Sequence, residues 1–175
     1  MKITKLLIIV SVLALQGCDD VEKMLTFHIN DRTSIRIEKS LAVIDLPLEI
    51  PTPAVTSNSQ QQYENNNTRA DLVKEVKLDQ LKLTITSPEG KHFSFLKTIR
   101  IFISAPDQDK IELASLDDVP PTASVIELAP TAQQLDAYAR SSSYDLHTEV
   151  TTDETLTEDV DIQVDLRFRV TADTF

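Results

Sequence analysis

The chain is 175 residues long and carries 28 acidic against 17 basic side chains, a formal charge of −11. That balance excludes nucleic acid and a basic membrane-binding face, since both need clustered Lys and Arg to meet phosphate. Two glycines and one cysteine further exclude a phosphate-cradling loop of the GxGxxG or GxxxxGK type and any internal disulfide.

At the start, Lys2 and Lys5 precede an apolar run, Leu6 to Leu15, that is too short to span a bilayer comfortably and ends at Leu15-Gln16-Gly17-Cys18. This stretch resembles the lipobox signal peptide of bacterial lipoproteins. The resemblance implies cleavage between Gly17 and Cys18, a diacylglycerol thioether on the Cys18 sulfur and acylation of the new amino terminus. It also implies a place in the cell envelope, at the periplasmic face of the inner membrane or at the outer membrane or cell surface. Residues 1–17 are then the signal peptide and 18–23 a lipidated tether, and the charge moves from −11 to −13 as Lys2 and Lys5 leave. Two or more acyl chains anchor stably, so the membrane is a partner through the lipid on Cys18. Asp19 to Lys23 reaches only about 17 Å when extended, which keeps the following domain close to the membrane. Asp19-Asp20 has three readings: an inner-membrane retention signal, a surface-export tag, or a plain polar tether.

Residues 24–175 read as one β-rich domain. Met24 to Ile29 and Ser34 to Glu38 suggest two short strands about the polar turn Asn30-Asp31-Arg32. Leu46, Leu48 and Ile50 continue an alternation begun at Ala42, and Pro47, Pro51 and Pro53 make this an edge strand or one that leaves the sheet. Residues 52–67, rich in Ser, Asn and Gln, offer almost nothing to bury and are expected as a long mobile loop; the functional alternative is a partner-binding loop nucleated by Tyr63. A short helix is expected from Thr68 to Val76. Leu78 and then Leu81, Leu83 and Ile85 change phase between Asp79 and Gln80, which predicts a bulge. Ser87-Pro88-Glu89-Gly90 then turns the chain into Phe93, Phe95, Ile99, Ile101 and Ile103, so Asp79 to Ala105 reads as a hairpin. Lys110 to Leu116 and Val125 to Ala129 are further strands. Thr131 and Gln134 suggest a capping box for a helix that buries Leu135, Tyr138 and Ala139. Tyr144 to Val150 directs Tyr144, Leu146, Thr148 and Val150 inward and His147 outward. Val160 to Val170 alternates without interruption, a period of two with no helical reading, and is expected in the middle of a sheet beside Tyr144 to Val150.

The strand count, with no βαβ rhythm, predicts an antiparallel β-sandwich, immunoglobulin-like in the loose sense, with one or two short helices in the connections. Leu78 to Pro121 and the closing strand resemble a group of uncharacterised Gram-negative envelope lipoproteins with a single β-rich domain. That resemblance transfers no functional residues. His28, His92 and His147 stand in no metal-ligand spacing, and the acidic groups at Asp107/Asp109, Asp117/Asp118 and Asp153 to Asp161 contain no EF-hand loop; no metal and no cofactor is expected. No GxSxG elbow can be built, so no catalytic residue is assigned and an enzyme is not expected. The leading reading is a non-enzymatic, membrane-anchored envelope lipoprotein presenting its sandwich for protein contacts, as an assembly or adhesion accessory. Its contact surfaces are the edge near Leu46 to Pro53 and the stretch 52–67. The alternative is binding of a small hydrophobic ligand or lipid between the sheets near Phe93, Phe95 and Phe168; a hydrolase comes third.

Overall fold

The computed structural model describes residues 24–39 and 46–175; Gly17, Cys18, the tether and residues 40–45 lie outside the described residues. The strands are β1 (Leu25–Ile37), β2 (Leu48–Ile50), β3 (Val55–Thr56), β4 (Val73–Ser87), β5 (Leu96–Ala105), β6 (Gln108–Leu116), β7 (Val125–Pro130), β8 (Ser143–Thr152) and β9 (Val160–Ala172). Two short helices, α1 (Ser59–Asn65) and α2 (Asp136–Ala139), and 3-10 turns at Ala70–Leu72 and Phe93–Phe95 complete the described residues.

All pairings are antiparallel, in the order β1-β9-β4-β7-β6-β5-β8-β2, with β3 also on β8. The sheet curls strongly into a half-barrel, so that β1-β9-β4-β7 and β6-β5-β8 act as two walls around one core. This is the β-rich, sandwich-like architecture that the alternating segments predict. β9 sits between β1 and β4 and buries Val160, Ile162, Val164, Leu166, Phe168, Val170 and Ala172, each removed from water at roughly 25 cal/mol per Å² of apolar surface. It does not pair with β8, whose neighbours are β5, β2 and β3. The predicted bulge is present, as a register shift between Leu78 and Gln80 that leaves Asp79 as the extra residue.

Five further expectations are corrected. β1 is one strand of 13 residues rather than two, because the inward alternation runs through Asp31, whose carboxylate is buried and accepts a 2.8 Å hydrogen bond from the Tyr144 hydroxyl. β4 and β5 do not form a hairpin: β9 and β7 occupy the two edges of β4, and the Phe93–Phe95 turn sends the chain to the opposite wall. Gly90 nevertheless takes the positive φ of 76° that the turn requires. The stretch 52–67 is not an irregular loop, since it carries β3 and α1 and buries Val55, Ser59 and Tyr63. Finally, Thr68 to Val76 gives only one 3-10 turn before β4. Thr131 likewise caps no helix, its hydroxyl donating instead to the Glu112 carbonyl at 2.9 Å.

Candidate functional site

β1 lies at one end of the sheet, and among the described residues it pairs with β9 alone. Its opposite edge is a row of backbone donors and acceptors of the kind that templates another strand. At the far end of the sheet β2 stops after three residues, because Pro51 and Pro53 have no N–H to extend its ladder. Among the described residues the two ends do not pair with each other, although β3, seated on β8, packs against β1. Between them runs an open groove of about 540 Å³, lined by Ser34, Arg36, Ile37, Glu38 and Lys39 from one side and Ile50, Pro51 and Pro53 from the other. The edge expected near Leu46 to Pro53 is thus real, and half of the groove comes from β1, which sequence reasoning did not single out.

Charge holds this rim in place. The Arg36 guanidinium donates to Asp161 at 2.9 Å and to Asp159 at 2.7 Å, and the Lys39 backbone N–H donates to Asp159 at 2.8 Å. The Lys39 amide, followed by Arg36, holds the Asp159 carboxyl below the usual carboxylate range. Within the acidic run, Asp159 and Asp161 are therefore ion-pair partners of Arg36, and Glu158 takes Lys91 at 3.3 Å. Asp117 is similarly paired with Arg100 at 2.6 Å.

β2 is tied to its neighbours by a polar relay on the outer face. Ser104 Oγ is 2.9 Å from His147 Nε2, and His147 Nδ1 is 3.1 Å from Glu49 Oε1. These three residues come from β5, β8 and β2, so no local motif announces them. Hydroxyl, imidazole and carboxylate stand in the order of a nucleophilic triad, with the expected ring nitrogens. Two features limit the chemistry. Backbone N–H groups of a paired strand lie in the sheet plane, not above Ser104 where an oxyanion would form. Glu49 is also shared with Lys110, 3.7 Å away, which itself bonds Glu149 at 3.0 Å. An open depression of about 420 Å³ beside the relay is lined by Glu49, Ile50, Pro51, Thr52, Asp145, Leu146 and His147.

Between the walls, Ile29, Asp31, Ile103, Tyr144 and Phe168 surround a cavity of about 10 Å³, room for roughly one water. Phe93 and Phe95 are buried, and this cavity is too small for a hydrophobic ligand. His28 faces Asp79 at 3.7 Å, His92 is exposed, and no group of three or more metal-ligating side chains occurs among the described residues. Neither the family models nor the curated proteins contain a match to this chain.

Proposed function

We propose that the chain is a lipid-anchored envelope lipoprotein, held by acyl groups on Cys18, whose curled sheet receives an extended segment of a protein partner along the edge of β1. One observation carries the reading: a 13-residue edge strand stands unpaired on one side among the described residues and borders an open groove with an apolar floor of Ile37, Ile50 and Pro51. Strand addition there would supply main-chain hydrogen bonds along β1 and side-chain contacts in the groove, a recurrent mode of peptide capture. The reading needs no catalytic group, and it gives the apolar residues of the groove an occupant. A photo-crosslinking residue placed at Ser34 or Glu38 in cells is expected to trap one defined envelope protein. The same residue at Glu127, on the outer face of β7, is expected to trap none. Equal adducts from all three positions, or none from Ser34 and Glu38, would overturn the reading.

The Ser104–His147–Glu49 relay favours a second reading, an acyl hydrolase. A fluorophosphonate probe separates the two. Under strand capture no label forms, whereas a label on Ser104 that disappears in His147→Gln moves the assignment to a serine hydrolase.

A further inference from the structure

We infer that the domain sits on the bilayer end-on, with Met24 and Phe175 entering the lipid interface and the β1–β2 groove turned away from it. The inference rests on the lipid anchor at Cys18 proposed above. Five residues, Asp19 to Lys23, separate Cys18 from Met24, six Cα steps with a reach of at most about 22 Å, so the end of the sheet where β1 begins is the end held at the membrane. At that end Leu25 pairs with Ala172, and Ala172 also pairs with Val73, which brings Met24 and the residues after β9 to the same side. The backbone there is fixed: the Asp173 N–H donates to the Leu72 carbonyl at 3.0 Å, and its own carbonyl accepts from the Thr68 hydroxyl at 2.7 Å.

Four large apolar side chains are exposed among the described residues: Met24, Leu46, Val125 and Phe175. Met24, 57 % exposed, and Phe175, 74 % exposed, are the two at the anchored end. Leu46 and Val125 belong to the opposite half, since Val125 pairs with Thr84 near the exit of β4 and Leu46 precedes the pairing of Leu48 with Val150. Polar chemistry agrees with this polarity. The anchored end is covered by α1, where Tyr63 packs on Phe27 with ring centroids 6.3 Å apart. The stretch 57–68 around α1 has one charged residue, Glu64, among exposed amides such as Gln60, Gln61 and Asn65, which suit headgroup hydrogen bonding. The connection from β8 to β9, with Asp153, Glu154, Glu158 and Asp159, is at the other end of β1, about 40 Å away. That distance is several screening lengths, so an anionic bilayer does not repel those four carboxylates. At the anchored end Asp71, Asp136 and Asp173 are each paired with a cation, Arg69, Arg140 and Lys74, and Asp107 and Asp109 stand at the β5–β6 turn.

The chain has no tryptophan, so single tryptophans report without background. The test uses full-length lipidated protein carrying Met24→Trp, Phe175→Trp, Leu46→Trp or Val125→Trp, reconstituted into phosphatidylethanolamine/phosphatidylglycerol vesicles with or without brominated phosphatidylcholine. Emission is expected to fall at least about twofold at positions 24 and 175, as for side chains 5–10 Å into the interface, and to stay unchanged at 46 and 125. Position 175 is decisive, because only the fold, not the tether, brings it to lipid. Protein that floats with vesicles but shows no quenching at 175, or equal quenching at 46 and 125, overturns the seating alone. Protein that does not float overturns the anchor and the seating together.

Discussion

Asp31 is the residue at which sequence and fold disagree most informatively. Its place in the inward alternation of β1 puts a carboxylate among Ile29, Tyr144 and Phe168, where burial raises its pKa and the Tyr144 hydroxyl only partly offsets the rise. Burial and the Asp31 charge also push the Tyr144 hydroxyl up, so it remains a donor throughout the working range. The folded state thus holds the Asp31 proton more tightly than the unfolded chain, whose carboxyl titrates near 3.8. Its contribution is full below that value and declines as pH rises through the folded pKa. Asp159 has the opposite sign: its stabilisation is present above 3.8 and is lost on acidification. In urea titrations between pH 3 and 7, Asp31→Asn is expected to gain stability relative to the parent as pH rises, because the amide still accepts from Tyr144 without a buried charge. Tyr144→Phe, which leaves the carboxylate without that donor, is expected to lose about 1–3 kcal/mol at neutral pH. A difference between Asp31→Asn and parent that is flat with pH would show that Asp31 does not titrate differently on folding.

At the scale of elements, the outcome depends on how much of the information is carried by one strand alone. β8 and β9 were legible because each displays a sustained period of two, and Asp79 was legible as a bulge because the phase visibly slips there. Pairing was not legible. The outward residues of β4 do not say whether β5 or β9 is the neighbour, and the polar triplet at Asn30 to Arg32 resembles a turn until Tyr144 is seen to satisfy Asp31. The candidate groove was half legible: prolines mark the β2 side, but nothing in β1 shows that its outer edge has no strand partner among the described residues. α1 was missed because a helix laid on a sheet needs to bury only one stripe, and Ser59 and Tyr63, four residues apart, supply it within an otherwise polar run. Ser59 donates to the Ala139 carbonyl at 2.7 Å and Tyr63 to the same carbonyl at 3.2 Å, which joins α1 to α2 over the near end of the core. Tyr63→Ala is therefore expected to cost about 3–5 kcal/mol in chemical denaturation, as for a buried aromatic. Tyr63→Phe keeps the packing and should lose only about 1 kcal/mol. A loss below about 1 kcal/mol for the alanine variant would return residues 52–67 to the role of a dispensable loop.

For the whole molecule, the question is what makes two walls one folding unit. The ladder between them is thin: β6 and β7 pair at Ala114 with Pro130 and Ser115 with Ala129, Pro130 has no N–H to give, and Thr131 just beyond adds its N–H to the Leu113 carbonyl at 2.9 Å. The shared core is much more extensive. Tyr144 of one wall stands edge-on to Phe168 of the other with centroids 6.2 Å apart, and its hydroxyl reaches Asp31 on β1. If the core rather than the seam couples the walls, damage to β9 must be felt in β5 and β8, which never pair with it. Phe168→Ala is accordingly expected to lower stability by about 3–5 kcal/mol and to leave a single unfolding transition. Hydrogen exchange should show the protection of β5 and β8 falling by the same amount as that of β9, because all three open through one global event. Loss of protection confined to β1, β9 and β4 would mean that the walls unfold separately and that the β6–β7 seam is a boundary. The coupled outcome would also make the open side of the half-barrel the consequential one, since a strand added along β1 then stabilises both walls at once.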